Sequence, residues 1–207
     1  MIALLHTSPV HVPVFDALRD RDHPGVELRH LVHEALLDRA AAEGPGAVAG
    51  EVAAVVAGAV AEGAAAVLCT CSTLGAVAEA SAAELGIPVL RVDRPMAAAA
   101  ARAGRVVVIA TQEATLAPTT ELIRAEGGSG VRTILVAGAW ELFRAGDREG
   151  YLDAVAGAVD AVRGADVIVL AQASMADAAD RAATSVPVLS SPGPGLRAAV
   201  EAGARGR

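Results

Sequence analysis

About 100 residues after its start, the chain begins to repeat itself. The opening run Ile2–Thr7 (IALLHT) resembles Val106–Thr111 (VVVIAT), and Val26–Leu31 is followed in the second half by Val131–Val136 at a nearly equal distance. Ala57–Leu68 (AGAVAEGAAAVL) resembles Ala156–Leu170 (AGAVDAVRGADVIVL), and IPVL at Ile87 resembles VPVL at Val186. Ala/Val-rich helices can resemble one another through composition alone. The shared order of elements and the matched strand–turn–helix junctions instead favour duplication.

Within each half, short apolar runs alternate with longer Ala-rich stretches of 3.6-residue period, the βαβα pattern of a parallel sheet covered by helices. Strands are predicted at Ile2–Thr7, Glu27–Val32, Ala66–Cys69, Val89–Val92, Val106–Thr111, Thr133–Ala137, Val167–Ala171 and Val186–Leu189, with helices between them. Pro88 and Pro187 stand at strand starts, where a missing N–H is tolerated, and Gly63, Gly104 and Gly164 end helices just before strands. The fold class expected is therefore α/β: two similar Rossmann-like lobes with parallel sheets related by pseudo-twofold symmetry, residues 1–95 plus 193–207 forming one and residues 96–192 the other. Open parallel sheets bind ligands at the carboxyl ends of their strands, so the cleft between the lobes is the expected active site.

Composition narrows the partners. Apolar residues make up 54% of the chain but aromatics only 2%, so the core must be built from small, closely packed aliphatic side chains. The net charge of −7, with basic residues scattered, argues against nucleic acid or an anionic membrane as the main partner. Glu51 and Glu62 interrupt the longest apolar stretch, no transmembrane span or signal peptide is expected, and a cytoplasmic location follows as the default. Cys69 and Cys71 are too close in sequence to form an ordinary disulfide and are expected to be free thiols.

The strand ends carry the chemistry. In the first half the junction after the third strand reads Cys71-Ser72-Thr73, and 101 residues on the second half reads Gln172-Ala173-Ser174. A thiol just before a helix N-terminus would have its thiolate stabilised by unpaired N–H groups and the helix dipole, making it a usable base or nucleophile. Ser72 and Thr73 could bind a carboxylate beside it.

With the duplicated lobes, the C-S-T-L-G junction at Cys71–Gly75 and the A-T-x-x-x-T run at Ala110–Thr115, the whole chain resembles the aspartate/glutamate racemase superfamily. That group includes amino-acid and hydantoin racemases, arylmalonate decarboxylases and maleate isomerases. The resemblance implies a cofactor-independent enzyme in which Cys71, rather than Cys69, is the functional thiol, because Thr73 then falls on the family's threonine. It further implies that Thr7, Ser8, Thr111, Thr115 and Ser174 bind the substrate carboxylate, and that the chain forms a homo-oligomer. Thr111 and Thr115 read equally well as a strand-end residue and a first-turn helix residue.

One departure stands out. A two-base racemase of this family removes a proton with one cysteine and returns one from a second, which would fall near Gln172; glutamine cannot titrate, and Gln172 is expected to bind substrate instead. His6, at the end of the first strand and followed by Thr7 and Ser8, is the best-placed substitute acid/base, and reads equally as a hydrogen-bonded loop histidine. Glu34 could reach the rim but fits a solvated first-turn glutamate. His30 and His33 lack the further ligands a metal site needs, so no metal is expected. Asp93, before Arg94-Pro95, reads as an N-cap for a helix over Ala97–Arg102.

No G-x-G-x-x-G follows the first strand and no Walker loop is present, so a nucleotide cofactor has no support. The sequence contains no lysine, which excludes a Schiff-base or pyridoxal-phosphate mechanism. The expectation is a cofactor-independent racemase/isomerase-like enzyme that moves a proton at the activated carbon of a small carboxylic acid, an amino acid or related, through the single thiol of Cys71. A one-sided decarboxylase or lyase, or a non-catalytic small-acid-binding protein, is the alternative.

Overall fold

The computed structural model describes residues 1–205. The chain divides into two compact units, Met1–Asp93 together with the segment from Pro192, and Arg94–Ser191. Each is a four-stranded, wholly parallel sheet.

In the first unit β1 (Ile2–His6), β2 (Leu28–Val32), β3 (Ala66–Cys69) and β4 (Val89–Arg91) lie in the order β2-β1-β3-β4. The helices α1 (Val12–Asp22), α2 (Glu34–Glu43), α3 (Ala49–Ala61), α4 (Gly75–Ala80) and α5 (Ala82–Leu85) connect them, and α10 (Pro192–Arg205) returns to the same unit. In the second unit β5 (Val106–Ala110), β6 (Arg132–Leu135), β7 (Val167–Leu170) and β8 (Val188–Leu189) repeat that order as β6-β5-β7-β8. Here the helices are α6 (Arg94–Ala101), α7 (Glu113–Ala125), α8 (Ala139–Arg144) and α9 (Arg148–Asp160).

Both sheets are covered on both faces, which is why β1, β3, β5 and β7 read as unbroken apolar runs rather than as alternations. In the first unit Ala3, Leu5, Val67 and Cys69 pack with α2 and α3, while Ile2, Leu4, Ala66 and Leu68 pack with Phe15 of α1 and Leu196 and Ala199 of α10. In α3 the apolar spacing Val52, Val56, Ala59 buries one stripe in an Ala-rich sequence of high helix propensity. The second unit follows suit. Val107, Ile109, Ile168 and Leu170 face α9, and Val106, Val108, Val167 and Val169 face α6 and α7.

Small residues let the helices approach closely. A Cβ on Gly195 of α10 would stand 2.6 Å from both the Cγ2 and the carbonyl oxygen of Val92, so only glycine allows α10 to seat against the end of β4.

Strand ends differ from the sequence reading in detail. The eighth strand begins at Val188 rather than Val186, because Pro187 has no N–H to pair; its carbonyl instead accepts from Ile168 N at 2.9 Å. Pro88 does the same in the first unit, accepting from Val67 N at 2.9 Å. The sixth strand is Arg132–Leu135, two residues short of Ala137. Among the described residues, no helix is long and apolar enough to cross a membrane.

Candidate active site

Register aligns the two units residue by residue. Leu5 pairs with Cys69 in the first sheet and Ile109 with Leu170 in the second, so the residues just beyond the strands correspond: Cys71 to Gln172, Thr73 to Ser174 and Thr7 to Thr111. All lie at the carboxyl ends of the two central strands of their own sheet.

In the first unit Cys71 is half-buried and packs against the cluster on the α2 and α3 face. Three turn residues, Ser72 to Leu74, separate it from α4, which begins at Gly75 and runs for only six residues. The helix N-terminus expected beside the thiol is thus displaced by almost a turn, and the field of a helix end fades over about that distance. Cys69 is sealed in the sheet, its Sγ–H donating to the carbonyl of Cys71 at 3.6 Å. Burial, then the neighbouring Cys71, pushes the Cys69 thiol well above its ordinary pKa, so it stays protonated. Both cysteines are free thiols.

The junction is held from below by a buried ion pair. Arg91 donates to both carboxylate oxygens of Asp93, at 2.6 and 2.9 Å, and reaches the carbonyl of Ser72 at 3.4 Å. Asp93 stands immediately before α6, which starts at Arg94, at the N-cap position read from the sequence, and its carboxylate also pairs with Arg91. This fastener under the C-S-T turn is not legible in the sequence, where Arg91 is one charged residue in an apolar strand.

His6 also departs from expectation. It is fully buried, with both ring nitrogens engaged. Thr70 Oγ1 donates to the Leu5 carbonyl at 3.1 Å, which leaves that oxygen to accept from His6 Nδ1–H at 2.8 Å. His6 Nε2 then accepts from His30 Nδ1–H at 2.8 Å, and His30 Nε2 lies 3.3 Å from Asp16 Oδ1. Burial, reinforced by the charges of His30 and His11, lowers the His6 pKa to about 3. A ring that stays neutral and has no free nitrogen offers a substrate neither proton nor lone pair. It also packs toward Phe15, ring centroids 5.5 Å apart, on the face opposite the cluster that Cys71 joins. His6 is therefore a structural member of a buried hydrogen-bonded chain, not the second acid/base.

Thr7 is buried, while Ser8 is half-buried, precedes the short turn Pro9–His11 and makes no capping bond. Ser72 is buried and Thr73 half-buried. Glu34 is exposed at the first turn of α2. Among the described residues, no group of three or more His, Cys, Asp or Glu side chains is arranged to hold a metal ion.

The second unit gathers its polar residues more tightly. Gln172 Oε1 accepts from the backbone N–H of Thr111 at 2.7 Å and from its hydroxyl at 2.9 Å. Ser174 Oγ lies 2.8 Å from the Tyr151 hydroxyl, and the Thr111 hydroxyl bears on the same phenol. Burial raises the Tyr151 pKa, with these two hydroxyls opposing the shift. Tyr151 comes from α9 and is buried against Phe143, which stacks on Trp140. The sequence reading missed Tyr151. A chain with a single tyrosine that must bury its hydroxyl is the one signal that could have raised it. Thr115 is buried in the first turn of α7, its N–H bonded to the carbonyl of Gln112.

Among solved structures, the fold resembles a candidate Asp/Glu racemase from Yersinia pestis (TM-score 0.74, 15% identity, 98% of each chain covered). It also resembles the allantoin racemase from Klebsiella pneumoniae (TM-score 0.67, 20% identity, 99% of this chain and 88% of that one). A liganded double mutant of arylmalonate decarboxylase is similar too (TM-score 0.65, 22% identity, 100% and 93%). No curated protein sequence matches the chain. The family model for Asp/Glu/hydantoin racemases matches residues 12–201, nearly the whole length, and the chain belongs to that family.

Proposed function

We propose that this protein is a cofactor-independent enzyme that moves a proton at the activated carbon of a small carboxylic acid, with Cys71 as its single acid/base. The observation that carries the reading is the register match of Cys71 to Gln172: equivalent strand ends of the two units hold one titratable thiol and one amide that cannot titrate. In the deprotonating direction the Cys71 thiolate takes the proton from the carbon α to the carboxylate, and the electron pair left behind delocalises into that carboxylate as an enediolate. Delivery of that proton by the same sulfur to a different carbon of the delocalised anion completes an isomerisation, and its exchange with solvent before return to the original carbon labels that carbon on one face.

The amide at Gln172 also favours a second reading, a one-sided decarboxylase. There the C–C bond to a departing carboxylate breaks, carbon dioxide leaves, its bonding pair stays on the α-carbon, and the Cys71 S–H supplies the proton. Both readings use one thiol and predict one stereochemical face.

Solvent-deuterium exchange into a panel of amino acids, hydantoins and malonates separates them. The expected result is deuterium incorporation without inversion, or decarboxylation to a product deuterated on one face, with either rate falling about 100-fold or more in Cys71→Ala. Full activity in Cys71→Ala, or inversion by the wild-type protein at the rate of exchange, overturns the proposal.

A further inference from the structure

We infer that Gln172 is a fixed donor group for an anionic oxygen of the ligand, so that the second unit supplies a carboxylate-binding subsite where the register would place a second thiol. The inference rests on the reading of this chain as acting on a small carboxylic acid.

The argument begins with donors. The backbone N–H of Thr111 can only donate, so the Gln172 side-chain atom 2.7 Å from it must be the carbonyl oxygen, which settles the orientation of the amide. The Thr111 hydroxyl, 2.9 Å from the same oxygen, must spend its own proton there as well. The Tyr151 and Ser174 hydroxyls lie 2.8 Å apart in the same unit. Two donations from Thr111, one from its backbone N–H and one from its hydroxyl, therefore converge on Gln172 Oε1.

Thr111 is buried, so the anchor on the Gln172 carbonyl is fixed in the unit's core. Gln172 itself is only half-buried. Its carbonyl is saturated by two donors, and its NH2 group makes no hydrogen bond to any described residue. A planar amide whose oxygen is pinned twice presents two N–H bonds in a set direction with little rotameric freedom left to lose on binding. Such a group suits a carboxylate or enediolate oxygen, and it gains strength as negative charge develops on that oxygen. An approaching base or a neutral acceptor-poor group gains nothing from it.

The test titrates the purified full-length protein with malonate, and with malonamide as the neutral control, following the Gln172 side-chain NH2 resonances by 1H–15N NMR. Malonate is expected to shift both protons saturably, and malonamide to leave them in place. In Gln172→Glu the carboxylate can still accept both Thr111 donors, so the fold is preserved, but the outward atom becomes an acceptor; malonate binding should weaken at least about tenfold. Gln172→Met, which removes the donors without adding charge, should weaken binding similarly.

Unshifted NH2 signals with malonate, an equal response to malonamide, or wild-type affinity in either variant overturns the inference. Cys71→Ala keeps this test apart from the catalytic reading. Wild-type malonate affinity in Cys71→Ala, with no exchange activity in any protein, leaves the subsite standing and removes the catalytic reading. Exchange in the wild type with undisturbed Gln172 resonances does the reverse.

Discussion

Gly75 stands directly against Arg91: a Cβ on Gly75 would lie 2.9 Å from both the Cβ and the Nε of the arginine. The glycine of the C-S-T-L-G junction is there because the buried Arg91, tied to Asp93 and to the Ser72 carbonyl, passes across the start of α4. Gly75→Ala forces a shift in a side chain that cannot swing away, and should cost about 1–3 kcal/mol in urea denaturation. An unchanged midpoint would show that the arginine gives way freely.

The Arg91–Asp93 pair predicts an asymmetry between single and double substitution. Asp93→Ala leaves a buried guanidinium without its counter-charge and should lose about 3–5 kcal/mol of stability. Arg91→Met combined with Asp93→Leu removes both charges and should lose markedly less. Equal losses in chemical denaturation would contradict the pairing.

The buried imidazoles set a pH dependence. His6 and His11 have folded-state pKa values lowered to about 3 and about 4, mainly by burial, against 6.5 in the unfolded chain. Between those values the unfolded state binds more protons than the folded one, so stability rises with pH. Their stabilising contribution is complete above pH 6.5 and is lost as the pH falls toward 4, by on the order of a few kcal/mol. His6→Asn, whose amide can still meet Thr70, should flatten that slope in denaturation curves collected across the range.

Two cysteines two residues apart should behave oppositely toward alkylation. Iodoacetamide should modify the folded protein once, at Cys71, because Cys69 is sealed in β3 and held protonated. Peptide mass mapping that found label on Cys69 before unfolding would refute this.

The hydroxyl of Thr119 in α7 is fully buried and has no hydrogen-bond partner among the described residues. An unsatisfied buried hydroxyl costs about 1–3 kcal/mol, so the near-isosteric Thr119→Val should be neutral or stabilising when melting temperatures are compared. A large loss would mean that this hydroxyl is bonded in solution.

What the sequence by itself determined is local or repeated. The apolar runs and Ala-rich stretches alternate with periods that only strands and helices satisfy, and their repetition after about 100 residues matched Cys71 to Gln172. Tertiary structure decided which polar groups meet. His6 finds Thr70 across 64 residues and Thr111 finds Gln172 across 61, contacts that exist only once parallel pairing brings neighbouring strand ends side by side. Strand-end position made His6 and Gln172 alike candidates for a functional role. Burial and hydrogen-bond geometry then turned one into a closed structural ring and left the other an amide with its oxygen pinned by two donors, because a side chain's chemistry depends on which of its donors and acceptors the fold has already used.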